Sequence, residues 1–138
     1  MPALDTEVLF ALNPRDRKHE AAMEVLKELR GRGERILVPD TAILEFQAVL
    51  RGIGRGPPII RAAILALRRA IEVNGGREVG AIDSELIARQ CEIEEAYGLS
   101  YFDSLIAASA LRLDGGLVSD DRAFDRVPGI RRIPLSSP

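Results

Sequence analysis

Four acidic residues, far apart in the chain, fall at points where chain topology would bring them together: Asp5, Glu45, Asp103 and Asp121, with Asp120 as an alternative to the last. Asp5 follows the apolar pair Ala3-Leu4, and Glu45 lies on the stretch after Ile36-Leu37-Val38. Asp103 opens the run before Leu117-Val118, which Asp120 and Asp121 follow. Carboxylates gathered within a few ångströms repel one another and raise each other's pKa unless a cation sits among them. Oxygen ligands without His or Cys select Mg²⁺ or Mn²⁺ over zinc. Such an ion lowers the pKa of a water and stabilises charge growing on a phosphate, which is the chemistry of phosphodiester hydrolysis.

Each acid also has a structural explanation. Ser100-Tyr-Phe-Asp103 has the spacing of a capping box, Asp5 stands where it caps a short helix, and Asp120 and Asp121 suit a turn. Glu45 is the hardest to explain so, because it shares a helical row with Ala42 and Val49. It is the joint placement that points to a metal site.

The elements that would position these acids follow from periodicity. Ala3-Leu4, Ile36 to Val38 and Leu117-Val118 read as buried strands, Val79 to Ile82 as a third strand in chain order, and Arg131 to Ile133 as a last edge strand. Helices are expected at Val8 to Leu12, at Arg17 to Arg30 with Ala22, Val25, Leu26 and Leu29 inward, and after a cap at Asp40 or Thr41 with Ile43, Phe46, Val49 and Leu50 inward. Another carries Ile60, Ile64, Leu67 and Ile71 inward, the next runs from a cap at Asp83 or Ser84 to Tyr97, and the last follows Ser100. The order β, α, α, β, α, α, β, α, α, β predicts an α/β fold, a mainly parallel sheet of four to five strands between helical layers. Helix N-termini and strand C-termini then meet at one sheet edge, where the acids belong.

A length of 138 residues and 46% apolar composition fit one domain, 1–138, with a real core, and the absence of Trp leaves Leu, Ile, Val and Ala to fill it. A net charge of −2 speaks against a general nucleic-acid coat or a polybasic membrane anchor. No run approaches a membrane span or a signal segment, so a soluble cytoplasmic protein is expected. Cys91, the lone cysteine, reads as a buried small side chain, and His19, the lone histidine, as a solvated one. Arg15, Arg17 and Arg122 lie near the acidic edge and are candidates for phosphate contacts.

Leu4-Asp5-Thr6-Glu7-Val8-Leu9, Leu44-Glu45-Phe46, Tyr101-Phe102-Asp103-Ser104-Leu105-Ile106-Ala107-Ala108 and Leu117-Val118-Ser119-Asp120-Asp121-Arg122-Ala123-Phe124 together resemble the PIN-domain nucleases, and more narrowly the VapC-type ribonuclease toxins. The resemblance spans nearly the whole chain. It implies a three-layer α/β/α sandwich, often dimeric, that cuts RNA with Mg²⁺ or Mn²⁺ and is blocked by a cognate antitoxin. It also implies Asp5, Glu45, Asp103 and Asp121 as metal-binding acids, with Thr6 and Ser119 as hydroxyls that orient the site. Glu7 departs from the Asn or Ser common in the family. Two other classes compete with this reading: a catalytically silent PIN-like module that binds RNA or protein, and an aspartyl phosphatase. The phosphatase is disfavoured because Glu7 replaces its second Asp and neither Lys18 nor Lys27 is expected beside a later strand.

Overall fold

The computed structural model describes residues 1–135. Its elements are β1 (Ala3–Leu4), α1 (Thr6–Ala11), α2 (His19–Gly31), β2 (Ile36–Pro39), α3 (Asp40–Gly52), α4 (Pro57–Val73), β3 (Gly76–Val79), α5 (Ser84–Tyr97), α6 (Tyr101–Arg112), β4 (Gly116–Val118), a 3-10 turn (Arg122–Arg126) and β5 (Arg131–Ile133). The strands form one parallel sheet in the order β3-β2-β1-β4-β5, with helices on its faces in an α/β/α arrangement.

Parallel neighbours require crossover helices that cover both sheet faces, and the central strands accordingly carry no polar residue. Ala3, Leu4, Ile36, Leu37, Val38, Leu117 and Val118 are all buried. Phe124, the largest fully buried side chain, closes the core near the sheet's C-terminal edge together with Val127 and Leu135. The chain leaves β1 toward β2 on one side and reaches β4 on the other, so the strand order reverses beside β1. Open α/β sheets bind ligands at such a point, outside the strands' carboxyl ends.

Several expectations are corrected. The third strand is Gly76–Val79, not Val79 to Ile82. Gly75 turns the chain at φ +74, so pairing with β2 begins at once, Ile36 opposite Gly76, and ends at Pro39 opposite Val79. The N–H groups of Ala81 and Ile82 are then taken by the Asp40 carboxylate at 3.0 and 3.3 Å. Asp40 is thus the first residue of α3 and clamps a loop, while neither it nor Thr41 is the cap, which falls to Pro39. Cys91 and Val49 are exposed rather than buried, since α5 turns Leu86, Gln90 and Ile93 inward and α3 turns Thr41, Ala42 and Phe46. His19 is half-buried, its Nδ1 lying 2.8 Å from the carbonyl oxygen of Ala11, and α2 begins there rather than at Arg17.

Candidate metal centre

Asp5 directly follows β1 and caps α1. Its Oδ1 accepts the Thr6 N–H at 2.7 Å, and its Oδ2 accepts the Ser119 hydroxyl at 2.6 Å. Ser119 is fully buried just after β4, its hydroxyl also accepting the Asp121 N–H at 3.0 Å. Glu45, one turn into α3, is oriented by the Thr6 hydroxyl, which donates to its Oε1 at 2.5 Å. Asp103 sits in the first turn of α6, and the Ser100 hydroxyl accepts the Asp103 N–H at 3.3 Å to cap that helix. Thr6 and Ser119, the two hydroxyl residues singled out in the sequence, therefore each donate to one acid.

Carboxylate oxygens of Asp5, Glu45 and Asp103 lie within 4.8 Å of one another. Asp5 is 6% exposed and the other two are half-buried. Burial is the main cause that pushes the Asp5 carboxyl up to about 7. Its bonds to Ser119 and Thr6 work against the rise, and Glu7 and Asp103 add to it. Burial likewise raises Glu45, with Asp103 adding to the effect, and raises Asp103, with Asp121 and Glu7 adding to it. Acids so placed are expensive to ionise without a counter-ion. An all-oxygen donor set with one deeply buried member fits a hard divalent cation.

Asp121 lies outside that close group but near enough to raise Asp103 by its charge. It caps the 3-10 turn, its Oδ1 accepting the Ala123 N–H at 2.9 Å. Asp120 is turned to other partners: its Oδ1 accepts the Leu135 N–H at 2.8 Å, and its Oδ2 accepts from Lys18 Nζ at 2.9 Å. Glu7 points along the same edge, its Oε1 accepting the Asp120 N–H at 2.5 Å with the Ser119 hydroxyl 3.3 Å away. Lys18 was missed by sequence reasoning and does meet the end of a later strand, contrary to expectation. Its one visible signal was rarity, since it is one of two lysines against 17 arginines. Arg15, Arg17 and Arg122 are exposed, and Arg15 and Arg17 form no ion pair among the described residues.

A PIN-domain family model matches residues 3–130. No curated protein matches the sequence significantly. Among solved structures, VapBC2 from Rickettsia felis bound to a promoter DNA fragment is similar at 16% identity and a TM-score of 0.66, over 96% of each chain. A toxin-antitoxin complex from Klebsiella pneumoniae is similar at 16% identity and 0.64, over 95% of this chain and 96% of that one. The Mycobacterium tuberculosis toxin VapC20, described as cleaving the sarcin-ricin loop, is similar at 17% identity and 0.64, over 91% and 93%. With the parallel sheet and the acids gathered at its switch point, the match over nearly the whole length establishes that this chain belongs to the PIN-domain family.

Proposed function

We propose that this chain, acting as one PIN-like unit, is a divalent-metal-dependent ribonuclease and the toxin of a toxin-antitoxin pair. The observation that carries the reading is the meeting of Asp5, Glu45 and Asp103 within 4.8 Å at the carboxyl edge of the sheet. In this reading those three residues hold Mg²⁺ or Mn²⁺, with Asp121 beside them. The ion, when bound, supplies activation of a water and neutralisation of charge on the phosphate.

The chain's own groups set up that chemistry. Thr6 and Ser119 fix Glu45 and Asp5 by donating to one oxygen of each, so that the acids are oriented before a ligand arrives. Burial at the base of the site keeps bulk water from Asp5, which strengthens every charge interaction there. Arg15, Arg17 and Arg122 are exposed, which supports the reading that they attract RNA phosphates.

Three considerations support the partners. The structural neighbours include toxin-antitoxin complexes. A cavity of about 420 Å³ opens between Leu9, Phe10, Phe46, Leu50 and Leu67, apolar surface of the kind an antitoxin segment covers. Ile53, just past α3, and Ile59 and Leu65 on α4 are each about 60% exposed, in keeping with a homodimer. Among the described residues no helix is long and apolar enough to cross a membrane.

Purified protein incubated with total RNA tests the reading. Cleavage should require Mg²⁺ or Mn²⁺, stop with EDTA and vanish in Asp103→Asn. Cleavage indifferent to both EDTA and that substitution would remove the proposal, and folded protein that binds Mn²⁺ without cutting RNA would favour the silent binding module instead.

A further inference from the structure

Beside the three-acid group lies a second set of carboxylates that already holds a cation, supplied by the chain itself. Lys18 Nζ lies 2.9 Å from Asp120 Oδ2 and 3.4 Å from Glu7 Oε2. The remaining oxygen of each acid is engaged by neutral donors: Asp120 Oδ1 by the Leu135 N–H, Glu7 Oε1 by the Asp120 N–H and the Ser119 hydroxyl. The two halves of the basin touch, because that Ser119 hydroxyl bonds Asp5 Oδ2 at 2.6 Å and lies 3.3 Å from Glu7 Oε1. Glu7 also acts by charge on both Asp5 and Asp103. Two-metal nucleases place their ions about 3.5–4 Å apart, and the carboxylate pair joined to Asp5 through Ser119 is a neighbouring place for a cation that Lys18 already fills.

We propose that the Lys18 ammonium occupies that second-cation position, so that the chain takes up one divalent ion rather than two. This rests on the metal-dependent reading above and specifies its stoichiometry. Lys18 is tethered in the connection just before α2, so its charge is delivered at no cost of capture from solution. A second divalent ion would have to break both ammonium contacts and enter against the repulsion of the displaced Lys18. The same contact sorts the neighbouring aspartates. Asp120 is drawn to Lys18 and the Leu135 N–H, and Asp121 is left on the side of Asp103.

Mn²⁺ titration of the full chain at pH 7.5, read by calorimetry and by the electron paramagnetic resonance signal of free Mn²⁺, gives the count directly. The proposal expects one equivalent for the wild type, two for Lys18→Met, which removes the charge and keeps the stem, and one for Lys18→Arg, which restores it. Two equivalents on the wild type overturn the proposal whether or not Lys18→Met folds. So does a single equivalent on folded Lys18→Met. A wild type that binds no Mn²⁺ overturns the metal-dependent reading itself, an outcome distinct from a wrong count.

Discussion

Replacing Asp5 with Asn should destroy the candidate site and at the same time make the metal-free protein more stable. Asp5 titrates at 3.8 in an unfolded chain and is pushed up to about 7 by burial in the folded one. The folded chain therefore keeps the proton where the unfolded chain has released it. The contribution of the neutral carboxyl is fully present below 3.8 and is lost as the pH rises toward 7, after which folding carries an ionised, buried acid. At about 1.36 kcal/mol per pKa unit, that displacement corresponds to roughly 4 kcal/mol above pH 7. Asn keeps an acceptor for the Thr6 N–H and can donate to the Ser119 hydroxyl, so roughly 2–4 kcal/mol of this should be recovered. For a chain of this size that is a rise in Tm of roughly 8–16 °C. Thermal and urea unfolding in EDTA at pH 8 and pH 4 would show it, with the gap between variant and wild type wide at pH 8 and nearly closed at pH 4. A variant less stable than the wild type at pH 8, or a gap that does not change with pH, would refute the claim that Asp5 is held ionised at a cost.

Other outcomes follow from the same geometry. Mn²⁺ at a hundredfold excess over its Kd should stabilise the wild type by about 2.7 kcal/mol, an increase that EDTA reverses and that Asp103→Asn loses, as read in a melting scan. Ser119→Ala removes a bond that holds the Asp5 carboxyl down, so the acid limb of a pH-rate profile for RNA cleavage should move up by about one pH unit; an unmoved or lowered limb would contradict the Ser119–Asp5 assignment. Thr6→Val leaves Glu45 Oε1 without its donor and should lower metal affinity roughly 10–100-fold, measured by the Mn²⁺ titration. Gly115→Ala, at φ +85 with a Cβ position that collides with the Gly129 carbonyl oxygen, should cost more than about 2 kcal/mol in urea unfolding.

What could be foreseen from the sequence depended on burial. The central strands carry unbroken apolar pairs and triplets because both their faces are covered, so Ala3-Leu4, Ile36 to Val38 and Leu117-Val118 announce themselves. β3 carries Arg77 and Glu78 on a half-exposed edge, and its apolar signal slid to Ala81 and Ile82, which bond to Asp40 instead of to a strand. In α5 the buried face includes the polar Gln90, whose amide donates to the Ser104 hydroxyl at 3.0 Å, so apolar periodicity there misplaced Cys91.

The acids were legible together rather than one by one: Asp5, Asp103 and Asp121 stand next to a strand end or a helix start and Glu45 one turn into α3, and only their joint placement pointed to a site. Which of the neighbouring pair Asp120 and Asp121 turns toward the site was not. That choice depends on Lys18, a residue 102 positions away in sequence, and on the Leu135 N–H. Glu7 looked like a departure beside Asp5; its acceptance of the Asp120 N–H gives that extra charge a place in the β4 turn.

Crystals grown with Mn²⁺ and measured above its absorption edge test the central claim most directly. An anomalous peak is expected among the carboxylates of Asp5, Glu45 and Asp103, at about 2.0–2.3 Å from an oxygen of each. No peak at that place in crystals of active protein, or a peak only at some other acidic surface, would contradict the claim that these three side chains are gathered to hold a cation.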